Sequence, residues 1–153
     1  MGRVAVSRIV VGVDGSDGGR RALAWAVHEA ERWGATLVAA HAWSLPMMAI
    51  PTGMAPLPTM PETDEMSGAA VAVVDQVLAE ALEGHAGVAV EKVIVEGPAA
   101  TLLLDLAKEA DLLVVGSRGH GGFIGLLLGS VTQHVVHHTT APVVVVPPPR
   151  EDA

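Results

Sequence analysis

A glycine-rich stretch, residues 116–130, has the residue types and spacing to bind an anion; it reads Gly-Ser-Arg-Gly-His-Gly-Gly-Phe-Ile-Gly-Leu-Leu-Leu-Gly-Ser. It follows a hydrophobic run typical of a β-strand at 111–115 and leads into a helical pattern that begins near Ser130. Glycines between a strand and a helix let backbone N–H groups approach a ligand closely, and the helix N-terminus adds a partial positive charge. This arrangement suits the phosphate of a nucleotide.

The spacing of the glycines distinguishes this stretch from two common nucleotide-binding motifs. The pattern is Gly116-x2-Gly119-x9-Gly129-Ser130. No Gly-Lys-Ser/Thr follows these glycines, so the stretch is not a P-loop. Ile124 stands where a dinucleotide-binding fingerprint that starts at Gly119 requires its third glycine. A purely structural role also stays open, because glycine-rich turns between strands and helices often serve only backbone geometry.

Strand and helix patterns alternate along the chain and determine where this stretch must lie. Strands are predicted at 9–14, 35–43, 88–95, 111–115 and 143–146, and helices at 18–33, 62–83, 99–110 and from about Ser130. Such alternation implies parallel strands joined by right-handed crossovers. The expected fold is therefore an open, five-stranded, doubly wound α/β sheet of the Rossmann-like type.

A second glycine-rich turn, residues 15–19, follows the first predicted strand. Ligands of open α/β sheets bind beyond the carboxyl ends of the strands, where the strand order reverses. The strand order 3-2-1-4-5 makes strands one and four neighbours and brings both glycine-rich turns to that point. We infer this order from the need to bring the two turns together and from the family resemblance described below.

Length and composition exclude several classes of protein. The 153 residues suit one compact domain, and the net charge of −8 argues against a broad nucleic-acid surface. The chain has no cysteine, which excludes disulfides and thiolate chemistry and fits a reducing cytoplasm. No long apolar segment precedes Arg8, and prolines interrupt the uncharged segment 33–61. We therefore expect a cytoplasmic protein without a signal peptide or a membrane span.

Segments distributed over nearly the whole chain resemble the universal stress proteins, in particular their ATP-binding members. Five segments carry the resemblance: 9–16 and 37–43 for the first two strands, 114–119 and 128–132 for the phosphate region, and 141–146 for the closing strand. The segment 44–60 is its weakest part. The resemblance implies one nucleotide-binding domain over residues 1–153 and supports the strand order 3-2-1-4-5.

The resemblance implies adenine nucleotide binding, with ATP and Mg²⁺ as cofactors. Asp14 and Ala42 would border the adenine and ribose, and a backbone group of Ala42 would read the base edge. The same pocket would include Gly12, Val13, Val95 and Gly97. Gly116 would lie near the ribose, and N–H and hydroxyl donors to the phosphates would come from Gly119, Gly129, Ser130, Val131 and Thr132. Arg118 and His120 would reach the phosphate tail, Arg118 with its fork of donors.

Structural roles stay open beside these binding roles. Asp14 has the residue type of a helix N-cap for the first helix. Ser130 with Gln133 matches the capping-box pattern S-x-x-Q. Arg118 is equally well explained as a solvated loop charge, and His120 is better explained as a solvent-facing residue than as a catalytic one. His134 and His138 have the four-residue spacing of a zinc-binding pair, but further ligands are missing nearby, which favours an ordinary surface helix and no metal site.

The leading functional hypothesis is a regulatory stress-response protein that couples ATP binding to interaction with an unidentified protein partner. One alternative is a slow ATPase, although no general base is evident for a catalytic role. The other is a nucleotide-free dimeric interaction module, with segment 44–60 and strand 143–146 as its working surfaces. For segment 44–60 itself, a lid, a partner surface and a plain connection all stay open. The valine-rich strand 143–146 is expected at a sheet edge and to form a homodimer, as the family resemblance also implies.

Overall fold

The computed structural model describes residues 5–44, 63–119 and 127–150, in which five strands and four helices alternate. The strands are β1 (Arg8–Gly12), β2 (Thr36–Trp43), β3 (Val90–Glu96), β4 (Leu112–Gly116) and β5 (Val143–Val146). The helices are α1 (Asp17–Trp33), α2 (Thr63–Ala81), α3 (Ala99–Ala107) and α4 (Ser130–His138). The predicted segment 44–60 lies outside the described residues apart from Ser44.

The five strands form one parallel sheet in the order β3-β2-β1-β4-β5, which confirms the predicted fold and strand order. In this order the chain leaves β1 in one direction along the sheet and β4 in the other. The carboxyl end of β1 pairs Gly12 with Ala40, and that of β4 pairs Gly116 with Val146. The turns that follow β1 and β4 therefore lie side by side at one edge, at the switch point of the sheet.

Each face of the sheet is covered by one pair of helices. Helices α1 and α2 pack together over one face, and α3 and α4 pack together over the other. Side chains alternate along β1, so that Ile9 and Val11 join the α1/α2 core and Val10 joins the α3/α4 core. All three are fully buried. This double coverage explains why the inner strands read as continuous apolar runs instead of alternating ones.

Several element ends differ from the sequence-based expectation, each for a local reason. β3 begins at Val90 instead of 88, because the Val88 N–H donates to the His85 carbonyl in a turn, at 3.3 Å. α3 ends at Ala107, because the N–H groups of residues 108–110 bond to carbonyls three residues back. α1 ends as expected: Gly34 is its C-cap, in the left-handed region at φ 66°.

Among the described residues, none of the helices is both long enough and apolar enough to cross a bilayer.

Candidate functional site

A cavity of about 420 Å³ opens at the carboxyl edge of the sheet, between the ends of β1 and β4 and beneath α3 and α4. It brings together eleven of the thirteen residues predicted for the nucleotide site: Gly12, Val13, Asp14, Ala42, Gly116, Arg118, Gly119, Gly129, Ser130, Val131 and Thr132. They come from four separate parts of the sequence. The switch point of the sheet is what makes these parts converge.

The two glycine-rich turns interlock closely enough that side chains would not fit between them. A Cβ atom at Gly116 would lie 2.8 Å from the carbonyl carbon and oxygen of Gly18. A Cβ atom at Gly18 would in turn overlap the carbonyl oxygen of Arg118. Because both neighbours are backbone atoms, neither can rotate away. These two glycines are therefore required for the contact between the β1 and β4 turns that forms the floor of the site.

Asp14 lies between the two turns. Its Oδ1 accepts hydrogen bonds from the backbone N–H of Ser16, at 3.0 Å, and from the Ser16 hydroxyl. A Cβ atom at Gly19 would lie 2.5 Å from Oδ1, and one at Gly119 would lie 2.5 Å from Oδ2. One glycine from each turn thus makes room for the carboxylate. The N-cap of α1 is Ser16 and not Asp14, since the Ser16 hydroxyl accepts from the Gly19 N–H at 3.1 Å.

Helix α4 presents its N-terminus to the cavity. Its N-cap is Gly129 and Ser130 is its first helical residue, so the capping box expected from Ser130 and Gln133 is wrong. The Gln133 N–H instead donates to the Gly129 carbonyl at 2.9 Å. The preceding N–H groups, at residues 130–132, have no acceptor inside the helix. They and the positive end of the helix dipole point towards the space in which an anion would bind.

Two of the predicted donors are occupied by the fold. The Thr132 hydroxyl donates to the Gly116 carbonyl at 2.7 Å, and the Gly129 N–H donates to the Ser117 carbonyl at 2.7 Å. Neither group can donate to a phosphate while these bonds persist, because each carries a single hydrogen. Thr132 and Gly129 therefore hold α4 against the end of β4. The backbone N–H of Thr132 and the hydroxyl of Ser130 remain as candidate donors.

The backbone of Ala42 faces the cavity from the β2 side. The Ala40 carbonyl accepts from Val13 of the β1 side at 2.8 Å, and the Trp43 carbonyl accepts from Gly97 of the β3 side at 2.9 Å. Because backbone groups alternate sides along a strand, the N–H and C=O of Ala42 point to the β1 side. The last β1–β2 pair is Gly12 with Ala40, so β1 ends short of Ala42. A planar base could use this donor and acceptor.

Two predicted residues do not line the cavity, and a third lies outside the described residues. Val95 pairs with Ala42 in the sheet and is exposed, and Gly97, two residues later, has a φ of 137°. Both are neighbours of the site without being among the residues that line it. His120 belongs to the part of the sequence, 120–126, that the structure does not describe.

Sequence reasoning missed the apolar wall that α3 contributes. Ala99, Leu102 and Leu103 line the cavity, as do Gly19, Ala40 and Val115. A Cβ atom at Gly12 would lie 3.3 Å from Leu103 Cδ1, so the absence of a side chain at Gly12 keeps this wall open. The signal available was the position of α3 directly after Gly97-Pro98, at the same edge of the sheet as both glycine turns. An apolar wall opposite a row of backbone donors suits a ligand with one flat apolar part and one anionic part.

The ionisable residues among those lining the cavity are Asp14 and Arg118. Two carboxyl groups at the opposite end of the sheet, where the strands begin, have a lowered pKa. Hydrogen bonds from Ser7 and from the Arg8 backbone lower the pKa of Asp111, and the Arg8–Glu91 pair, 3.0 Å apart, lowers the pKa of Glu91. The carboxyl ends of the strands thus offer backbone dipoles to a ligand. The opposite end of the sheet holds the Arg8–Glu91 ion pair.

The described residues contain no group of three or more His, Cys, Asp or Glu side chains that could hold a metal ion. The rings of His134 and His138 are 4.6 Å apart on α4, and both residues are exposed.

Comparison with known proteins agrees with this architecture. The sequence model of the universal stress protein family matches residues 5–147. Universal stress protein Rv2623 of Mycobacterium tuberculosis is 40% identical over 141 residues, covering 90% of this chain and 44% of that protein. The chain thus spans less than half the length of this curated relative.

Solved structures show the same fold. A universal stress protein crystallised in complex with cAMP superposes with a TM-score of 0.68 at 30% identity, covering 94% of this chain and 98% of that one. The universal stress protein UspA from Lactobacillus plantarum superposes with a TM-score of 0.65 at 23% identity, covering 94% and 99% of the two chains. The second likeness concerns the fold alone.

Proposed function

Because this chain belongs to the universal stress protein family, we propose that it binds an adenine nucleotide in the cavity at the switch point. The observation that carries the proposal is the convergence there of Ala42, the two glycine turns and the N-terminus of α4. The relative that contains cAMP, at 30% identity, supports the same ligand class. We also infer that residues 1–153 form one nucleotide-binding domain, since all five described strands belong to one sheet.

The two ends of the cavity would bind different parts of the nucleotide. The base would lie between the Ala42 backbone and the apolar side chains of Leu102 and Leu103, where a flat ring loses little by leaving water. The phosphates would lie against the N-terminus of α4, where the N–H groups of residues 130–132 and the Ser130 hydroxyl are candidate donors. Arg118 supplies a cation among the described residues that line this space.

ATP with Mg²⁺ is the ligand that we propose. A triphosphate fits the extended row of donors from Gly119 to residues 130–132, and Mg²⁺ is commonly held by substrate phosphates with one or two protein oxygens. Asp14 supplies a carboxylate to the cavity lining, and Ser130 supplies a hydroxyl that is not already bonded to the Gly116 carbonyl as that of Thr132 is. When bound, the ion would offset the negative charge that one arginine leaves uncompensated. Adenine nucleotides of lower charge, including cAMP, are the natural competitors in the test.

The proposed role is regulatory: ATP occupancy would alter the exposed surface around α4 and thereby the binding of a protein partner. Strand β5 would support this role through a homodimer. A cytoplasmic location also stays a prediction. Hydrolysis is a separate possibility, which would require a group that positions a water molecule in line with the terminal phosphate.

Calorimetric titration and thermal unfolding would test the proposal, with ATP, ADP, AMP, cAMP and GTP as separate ligands, each with Mg²⁺ and with EDTA. Saturating ligand at about 100 times its Kd stabilises the folded state by about 2.7 kcal/mol. We expect this stabilisation for adenine nucleotides and a much weaker effect for GTP. Unchanged unfolding with every adenine nucleotide would refute the proposal.

Two glycine variants provide the matched control. Gly119→Ala would place a Cβ atom 2.5 Å from Asp14 Oδ2, whereas Gly87→Ala would place one in open space. We expect the first to weaken binding and the second to leave it unchanged. Phosphate release measured on the same samples separates the functions: release above the Gly119→Ala background supports a slow ATPase, and none over hours supports a binding protein.

A further inference from the structure

The hydrogen-bond ladder between β1 and β2 ends just before it would reach Ala42. The Val13 N–H donates to the Ala40 carbonyl at 2.8 Å, and the last paired residues are Gly12 and Ala40. In a parallel ladder, the next bond would run from the Ala42 N–H to the Val13 carbonyl. That bond is absent among those that the described residues form. The Ala42 N–H is therefore left without a partner in the ladder.

The side chain of His41 explains why the ladder ends there. Its Nδ1 lies 2.6 Å from the Val13 carbonyl oxygen. A carbonyl oxygen can only accept, so Nδ1 must carry a proton and donate it to this bond. Val13 is buried, and a buried carbonyl needs a donor within the protein. The imidazole is that donor, and it takes the place that the Ala42 N–H would otherwise have.

His41 acts from the face of the sheet opposite the cavity. Side chains alternate along β2, so that Leu37 and Ala39 belong to the α1/α2 core, whereas Ala42 lines the cavity beneath α3 and α4. By the same alternation, His41 lies on the α1/α2 side. It is half-buried there and is not among the residues that line the cavity. Its effect on a ligand must therefore pass through the backbone of Val13 and Ala42.

We propose that His41 is a positioning residue for base recognition: its imidazole occupies the Val13 carbonyl and thereby keeps the Ala42 N–H available to an adenine ring. The inference rests on the proposed nucleotide site. An adenine edge presents a ring nitrogen that accepts and an amino group that donates, which matches the N–H and C=O of one residue. Without the imidazole, the Ala42 N–H would bond to the Val13 carbonyl, and the base would lose its donor.

Two substitutions of His41 separate the donor from the shape of the side chain. His41→Asn retains an N–H donor close to the position of Nδ1, whereas His41→Leu has the same branched shape without a donor. We expect ATP affinity to fall about 10-fold in His41→Leu, the equivalent of about 1.4 kcal/mol, and to stay within about 2-fold in His41→Asn. Calorimetric titration measures both values.

Amide NMR at saturating ATP distinguishes this role from a general loss of structure. In both variants, the amide shifts of residues 130–132 should match those of the natural chain, because the phosphate end of the site is unchanged. The ATP-induced shift of the Ala42 amide should be lost in His41→Leu alone. A general loss of structure would change both ends of the site.

Two measurements on the nucleotide-free protein test the same role without a ligand. Nitrogen NMR of the imidazole rings should show a proton on Nδ1 of His41, whose signal His41→Asn identifies among the seven histidines. Solvent exchange of the Ala42 amide should be fast in the natural chain and in His41→Asn, and slower in His41→Leu, where the ladder closes. The first measurement uses the natural chain and stands even if a variant does not fold.

An imidazole without a proton on Nδ1 would overturn the proposal, as would Ala42 exchange that is equally fast in His41→Leu. Undiminished ATP affinity in His41→Leu, or an equal loss in both variants, would overturn it too, since the donor would then not matter. Failure of the proposed function looks different: no chain, natural or variant, would bind an adenine nucleotide. The Nδ1 proton and the Ala42 exchange would then still show whether His41 keeps the ladder open.

Discussion

Replacing Ser130 with aspartate tests the proposed position of the phosphates at the N-terminus of α4 without destabilising the fold. Ser130 is exposed and is the first residue of α4, so a carboxylate there is expected to stabilise the helix by about 0.3–1 kcal/mol through its dipole. The same carboxylate would occupy the space of the phosphates and repel them. Folding and binding should therefore change in opposite directions.

The size of the effect follows from the position of Ser130. Two like charges about 4 Å apart repel by about 1 kcal/mol in water and about 4 kcal/mol near a protein surface. Because Ser130 is exposed yet lines the cavity, we expect about 2 kcal/mol, a loss of about 30-fold in ATP affinity. The loss should shrink with added salt, which screens exposed charges.

Calorimetric titration of Ser130→Asp with ATP, at low and high salt, would measure this loss. Gln133→Glu is the matched control, since it adds the same charge to an exposed position of the same helix that does not line the cavity. Unchanged ATP affinity in Ser130→Asp, together with an intact melting temperature, would refute the placement of the phosphates at α4. An equal loss in both variants would refute it as well, since it would reflect net charge alone.

Three further substitutions test the architecture of the site and its frame. Gly116→Ala should lower the free energy of unfolding by about 1–3 kcal/mol through its clash with the Gly18 backbone, and Gly87→Ala should leave it unchanged; denaturant unfolding of both measures the difference. Thr132→Val should cost about 1–3 kcal/mol because it leaves the Gly116 carbonyl without its donor, whereas Thr132→Ser should retain the bond; equal stability of the two variants would contradict this role. The pKa of Asp111 is lowered in the folded chain, so its contribution to the free energy of unfolding is complete above the ordinary pKa of 3.8. This contribution is lost as the pH falls through the lower pKa of the folded chain. In Asp111→Asn, the free energy of unfolding should therefore decline less steeply in acid than in the natural chain.

The order of strands and helices was predictable from the sequence, because the apolar runs and glycine turns that indicate them are local patterns that recur along the chain. The runs around Ile9, Leu37 and Leu113 are apolar in succession, as strands buried on both faces must be, and the glycine turns 15–19 and 116–119 had to meet for a site to exist. The need to bring the two turns together, with the family resemblance, selected β1 and β4 as neighbours. The structure confirms that order.

The finer geometry was not readable because it depends on contacts between segments distant in sequence. From the sequence, the Thr132 hydroxyl was predicted to donate to a ligand. In the structure it donates to the carbonyl of Gly116, sixteen residues earlier in the chain. The wall formed by Leu102 and Leu103 depends on which side of α3 faces the switch point, and spacing within one helix cannot give that direction. Ser130 matched a capping motif, but Gly129 precedes it in extended geometry, at φ −70° and ψ 165°, and so takes the cap position.

The measurement that tests the central claim most directly is residue-resolved NMR of the natural chain during titration with ATP and Mg²⁺. The claim predicts saturable amide shifts concentrated at residues 12–14, 42, 116–119 and 130–132, with GTP producing much smaller ones. It also predicts that the shifts at 130–132 weaken in Ser130→Asp while those at Ala42 persist at higher ATP concentration. Saturable shifts confined to another surface, or no shifts with any adenine nucleotide, would contradict the assignment of this cavity as a nucleotide site.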